Sequence, residues 1–151
     1  MSPIERRPGW IVDASVATKW YLRDEKDTTK ADAILHGHVQ GTAPLFAPQL
    51  IRYEVTNSLL RAVRNNRINH DYAQRATRRF HALPIVEPSD SEERLAFALE
   101  LAYGMGISFY DAVYVALAEE LGRQVVTADR GLYDRVEEHL PSSTVLLEAL
   151  P

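Results

Sequence analysis

The chain predicts a three-layer α/β domain, a central parallel sheet of four to five strands flanked by helices. Two observations carry this. Short apolar runs alternate with stretches of helical periodicity from one end to the other, which is the pattern of a parallel sheet with helices on its faces. The length, 151 residues with 46% apolar residues, suits one domain with a proper core and excludes a disordered chain.

Each element follows from local pattern. Trp10-Ile11-Val12 reads as the first strand. Residues 14–22 begin a helix, residues 28–39 continue helical, and Gly41 ends that section. Leu45-Phe46-Ala47 reads as the second strand, closed by Pro48. Over residues 49–65, Ile51, Val55, Leu59 and Val63 recur at helical spacing. Another helix covers residues 70–83, with Asn69 as its N-cap. Ile85-Val86 is read as a short third strand before Pro88. Residues 91–103 are helical, with Leu95, Ala98, Leu99 and Ala102 on one face and Gly104 as the stop. Residues 109–121 are nearly all apolar, which predicts a buried helix, ended by Gly122. Residues 124–127 form the fourth strand, a helix follows to about His139, and residues 144–147 read as a fifth strand. There is no repeat, low-complexity tract or linker, so residues 1–151 are expected to form one domain, with the polar residues 1–9 flexible.

Composition narrows the function. With no cysteine there are neither disulfides nor thiolate metal ligands, which fits a reducing, cytoplasmic setting. The first nine residues lack the apolar core of a signal peptide. No apolar run approaches the roughly 20 residues of a membrane span, so no membrane partner is expected. The net charge of −4 argues against nonspecific nucleic-acid binding, but its distribution argues the other way. Between residues 61 and 79 stand Arg61, Arg64, Arg67, Arg75, Arg78 and Arg79, with Asp71 the only acid. Arginine favours bidentate phosphate contacts, which makes Arg61, Arg64 and Arg67 candidate nucleic-acid contacts. A solvated helix face, or one that meets an acidic protein surface, is the plainer reading.

Four acids carry the chemistry. Asp13 ends the first strand, Glu54 lies one to two turns into the helix after the second, Asp111 opens the apolar helix, and Asp129 follows the fourth strand. In parallel sheets, ligands bind beyond the carboxyl ends of the strands, where Asp13 and Asp129 fall. Singly, each acid has a bland explanation. Asp13 and Asp129 can cap the helices that follow. Ser108-Phe109-Tyr110-Asp111 has the form of a capping box. Glu54 can be one exposed residue among Arg52, Asn57 and Arg61. Together they argue otherwise, because carboxylates converging on one rim repel one another and raise their own pKa values. A hard divalent cation reverses that cost. Mg2+ or Mn2+ suits an all-oxygen site, and zinc does not, since His36, His38, His70, His81 and His139 do not cluster with the acids. A cation held there supplies an activated water and neutralises charge on a leaving oxygen, which is chemistry for phosphate esters. Ser15 and Thr127, two residues from Asp13 and Asp129, are candidates to bind a ligand phosphate or water, or are local turn hydroxyls.

Val12-Asp13-Ala14-Ser15-Val16, Tyr53-Glu54-Val55-Thr56-Asn57-Ser58-Leu59, the run from Asp111 to Ala118, and Val126-Thr127-Ala128-Asp129-Arg130 resemble, in order and spacing, the PIN-domain nucleases, and among them VapC-type toxins of toxin–antitoxin pairs. The resemblance covers residues 10–147. It implies a Mg2+- or Mn2+-dependent endoribonuclease whose acidic quartet is Asp13, Glu54, Asp111 and Asp129. Asp13 and Asp111 would bind metal, Asp129 would do so directly or through water, and Glu54 would orient water or complete a second site. It further implies an RNA substrate, a homodimer and a cognate antitoxin protein. The competing class is a non-catalytic RNA- or protein-binding domain with a vestigial site. A phosphoacceptor receiver domain fails because it needs a late lysine and the last one is Lys30. A haloacid-type phosphatase fails because it needs a second Asp where Ser15 stands.

Overall fold

The computed structural model describes residues 6–151. In chain order the elements are β1 (Trp10–Val12), α1 (Ala14–Ala17) running into a 3₁₀ turn (Thr18–Trp20), α2 (Thr28–Val39), β2 (Leu45–Phe46), α3 (Leu50–Arg64), α4 (His70–Ala82), α5 (Glu92–Met105), α6 (Phe109–Leu121), β3 (Gln124–Thr127), α7 (Arg130–His139) and β4 (Thr144–Leu146). The strands form one parallel sheet in the order β2-β1-β3-β4. The central strands place Ile11, Val12, Val125 and Val126 out of all contact with solvent, which is why their sequences are unbroken apolar runs. Helices layer over the sheet, and α6 is buried from Ala112 to Ala118, as its composition predicts.

Capping sets the helix starts. Asn69 accepts from the Tyr72 N–H at 2.8 Å and Ser91 from the Arg94 N–H at 3.1 Å, each filling one orphan donor of a first turn. Gly122 ends α6 at φ +63°, a left-handed conformation that costs any other residue more.

Several expectations are corrected. Ile85-Val86 is not a strand. Val86 makes one bridge to Phe46, because Pro84 and Pro88 on either side carry no N–H to extend a ladder. The sheet therefore has four strands. The helix predicted to begin at residue 14 breaks early, with α1 and the 3₁₀ turn ending at Trp20. Helix α5 passes through Gly104 and stops at Gly106, φ +66°, after burying Met105 against Leu132 and Val136. Its buried face is also different. Ala98 is buried as expected, but Leu95 is 38% and Leu99 59% exposed, while Arg94 is 5% exposed. The reason is the partner surface. Helix α5 packs on Ala112, Val113 and Ala116 of α6, where only small residues let two backbones approach closely.

The expected flexible start lies partly outside the described residues. From Arg6 onward the chain is held. The Arg7 N–H donates to the Gly122 carbonyl at 2.8 Å, Arg6 pairs with Glu119 at 3.1 Å, and Arg123 donates to the Pro8 carbonyl at 3.0 Å. At Gly9 a β-carbon would stand 2.4 Å from the Pro44 oxygen, so glycine alone fits there. Among the described residues no single helix is long and apolar enough to cross a membrane.

Candidate active site

Chain direction explains why the acids meet. All four strands are parallel, so their carboxyl ends share one edge. A helix that leaves or precedes a parallel strand starts at that same edge, which brings the first turns of α1, α3, α6 and α7 there together. The strand order reverses between β1 and β3, which opens a crevice between their ends. Asp13 lies at the end of β1, its N–H bonded to the Val126 carbonyl at 3.0 Å, and Asp129 caps α7 just past β3. Asp111 enters from the first turn of α6 and Glu54 from α3.

Asp13 is 7% exposed and does not cap α1 with its side chain. Its Oδ2 instead accepts from Ser15 Oγ at 2.7 Å and from Thr127 Oγ1 at 2.8 Å. Those hydroxyls accept in turn from the backbone N–H groups of Ala128 and Asp129, at 2.9 and 3.0 Å. Each hydroxyl has a single proton, and both protons go to Asp13. Ser15 and Thr127 therefore orient Asp13 and close the β3–α7 turn, rather than presenting a donor to a ligand. Both bonds fall on Oδ2, which leaves Oδ1 without a side-chain donor.

The other acids sit less deep. Glu54 Oε1 accepts from Tyr114 Oη at 2.7 Å. Tyr114 is wholly buried, three residues along α6 from Asp111 and on the same face. Asp111 receives help from the cap, where Ser108 Oγ accepts its N–H at 3.0 Å. Asp129 is exposed, and its Oδ1 accepts from the Leu132 N–H at 3.1 Å.

Burial pushes the Asp13 carboxyl up, against hydrogen bonds from Ser15 and Thr127, and the charge of Asp111 adds to the rise. Burial also raises Glu54, opposed by Tyr114 and reinforced by Asp13 and Asp111. Asp111 rises through burial and the charge of Asp129, against the Ser108 bond. Repulsion thus links all four carboxylates, and no lysine or arginine is among the groups that offset it.

Such a rim fits a hard divalent cation by donor chemistry. Among the described residues no three acid or histidine side chains stand close enough to share one ion unaided.

Comparison with known proteins bears on the family and the fold. The PIN-domain family pattern matches residues 10–138. The chain belongs to the PIN-domain family. Two proteins of Pyrobaculum aerophilum are similar to it over most of both chains. Ribonuclease VapC3 is 32% identical over 129 residues, 83% of this chain and 92% of that one. Exonuclease VapC9 is 30% identical over 146 residues, 91% and 93% respectively. The crystal structure of PAE2754 from the same organism superposes with a TM-score of 0.69 at 24% identity, over 93% of this chain and 92% of that one, and so shares the fold.

In this PIN domain the three candidate arginines part company. Arg61 lines a cleft of 530 Å³ that also reaches Ser15, Ala128 and Asp129. Arg67 lines it too, but its guanidinium is held by Asp24 at 2.7 and 2.8 Å and by Glu25 at 3.0 Å. Arg64 is exposed and is not part of the cleft. Two residues escaped the sequence reading. Lys19 forms part of the cleft wall, and nothing in its local pattern marks it. Tyr114 was findable, because a tyrosine inside an otherwise apolar buried helix needs a partner for its hydroxyl. Replacing Tyr114 by Phe keeps the ring and removes the bond to Glu54. The expected outcome is a stability loss of about 1 kcal/mol and a further rise of the Glu54 pKa, read by urea unfolding and by carboxyl NMR titration.

Proposed function

We propose that this PIN domain is a Mg2+- or Mn2+-dependent endoribonuclease and the toxin of a toxin–antitoxin pair. The observation that carries the reading is the convergence of Asp13, Glu54, Asp111 and Asp129 on one rim, with mutual repulsion that, among the described residues, no lysine or arginine offsets at Asp13, Glu54 or Asp111. The names of the two relatives, a VapC ribonuclease and a VapC exonuclease, support nuclease chemistry and RNA as the substrate.

Asp13 and Asp111 would hold the cation, with Asp129 binding directly or through water. When bound, the cation would lower the pKa of water and offset charge on the phosphodiester. Ser15 and Thr127 keep the Asp13 carboxylate fixed. Glu54 is tethered through Oε1 to Tyr114, so its other oxygen can orient an attacking water and accept its proton. The partners of this reading are an RNA strand, a cognate antitoxin and a second copy of the chain, in the cytoplasm. The homodimer is supported by an exposed apolar row on α5, Leu95, Leu99 and Tyr103, the last 90% exposed.

One relative's name specifies exonuclease cleavage and the other's specifies no mode, and circular RNA separates exonuclease from endonuclease action. An endonuclease opens a random-sequence library of circularised RNA in a manner blocked by EDTA. Digestion of linear RNA with circles left intact transfers the reading to an exonuclease. Manganese binding that survives both Asp13→Asn and Asp111→Asn, with neither RNA form cut, leaves the non-catalytic binding domain.

A further inference from the structure

The 530 Å³ cleft beside the acids is more than an opening to them. Its lining includes Ser15 and Asp129, and also Lys19, Arg61, Arg67, Ser58 and Asn65. Three cations face two acids there, Glu25 and Asp129, directly alongside a rim where carboxylates repel one another.

The cations differ in how far they are committed. Arg67 is spent on Asp24 and Glu25 and braces the cleft wall. Arg61 has one weak contact among the described residues, to Ser58 Oγ at 3.4 Å. Lys19 is 8% exposed, an unusual depth for an ammonium. It donates to the Lys26 carbonyl at 2.9 Å and stands 3.5 Å from Glu25, so one of its three N–H donors has no acceptor among the described residues.

Helix α3 lays these groups out in line. Glu54, Ser58, Arg61 and Asn65 are spaced by four, three and four residues, which places them on one face, with Arg61 about 10 Å along the axis from Glu54. A phosphodiester strand lying on the acids therefore continues over Ser58 and Arg61. The acids alone repel such a strand, so something next to them must hold it.

The geometry points to a phosphodiester subsite in which Lys19 and Arg61, helped by Ser58 and Asn65, grip a non-scissile phosphate of the RNA strand next to the one at the acids. This rests on the nuclease reading above. It also sorts the arginines: Arg61 touches phosphate and Arg67 positions the wall.

The test measures binding of a fluorescent single-stranded uridylate decamer by anisotropy across a salt series, with Ca2+ replacing Mg2+ to suppress cleavage. Arg61→Gln is expected to weaken binding about five- to tenfold at low salt and to reduce the slope of log K against log salt by about 0.7, the share of one phosphate. Lys19→Met should act in the same direction; its fold is checked by circular dichroism, and if it unfolds, Arg61→Gln decides. Arg78→Gln, on α4 and away from the cleft, should leave the slope unchanged. Wild-type affinity and slope in Arg61→Gln would overturn the subsite and leave the nuclease reading standing. A wild-type chain that titrates manganese yet binds no decamer overturns the subsite, and the circular-RNA assay decides the nuclease reading separately. If a polyglutamate peptide binds through Arg61 and the decamer does not, the cleft reads an acidic protein and the subsite is wrong.

Discussion

Asp13→Asn is expected to abolish the proposed divalent-cation binding, to lower RNA cleavage at least about a thousandfold, and to make the metal-free protein more stable at neutral pH. The loss follows from the assigned ligand role, since a bound cation contributes several kcal/mol to such a reaction and each 1.36 kcal/mol is tenfold in rate. The gain follows from burial. Asp13 is 7% exposed, its carboxyl is pushed up by desolvation, and the charge of Asp111 adds to that. An asparagine keeps an oxygen to accept from Ser15 and Thr127 but carries no charge. The expected gain is about 1 kcal/mol, or about 3 °C in Tm for a chain of this size.

The sign with pH is fixed. A carboxyl whose folded pKa lies above its unfolded value of 3.8 favours the fold below that pH, and this contribution disappears as pH rises through the folded pKa. The Tm difference between Asp13→Asn and wild type should therefore be small in acid and grow towards neutrality. Manganese should then raise the wild-type Tm at neutral pH and leave the variant unchanged. Calorimetric titration and thermal melts at several pH values check all three points. A variant that binds manganese as tightly as wild type would remove Asp13 from the site.

The second large effect is structural and asymmetric. Arg94 is 5% exposed and joins α5 to α6 through Glu120, at 2.5 and 3.1 Å, with the Ser89 carbonyl at 3.0 Å and Asp90 at 3.7 Å. Glu120 is about half exposed. Removing the acid strands a buried guanidinium, whereas removing the cation frees an acid that can turn to water. Glu120→Ala should cost about 2–3 kcal/mol and Arg94→Met about 1 kcal/mol, measured as midpoint shifts in urea at constant m. Equal costs would mean that the pair acts only through its mutual contact.

Local pattern reached much of this. The central strands, the buried α6, the caps at Asn69, Ser108 and Asp129 and the glycine stop at Gly122 all depend on neighbours within a few residues, and those neighbours are in the sequence. Errors appeared where partners are distant. Helix α5 looked like an ordinary amphipathic helix with a leucine face. Its true inner face is Arg94, Ala98 and Met105, with Leu101 partly buried, because α5 meets Ala112, Val113 and Ala116 of α6 on one side and Leu132 and Val136 of α7 near its end. Ile85-Val86 had strand composition, yet the prolines around it limit pairing to one bridge.

The candidate site divides in the same way. The sequence determined which residue types were present and that Asp13 and Asp129 end strands, since strand direction alone places those ends. Only the tertiary structure decided what each group touches. It turned the Ser15 and Thr127 hydroxyls onto Asp13, gave Glu54 to Tyr114 sixty positions away, committed Arg67 to Asp24 and set Lys19 in a cleft wall. Periodicity reports which side of an element is apolar. A hydrogen bond or an ion pair depends on two elements meeting at a given register, and that is settled by packing.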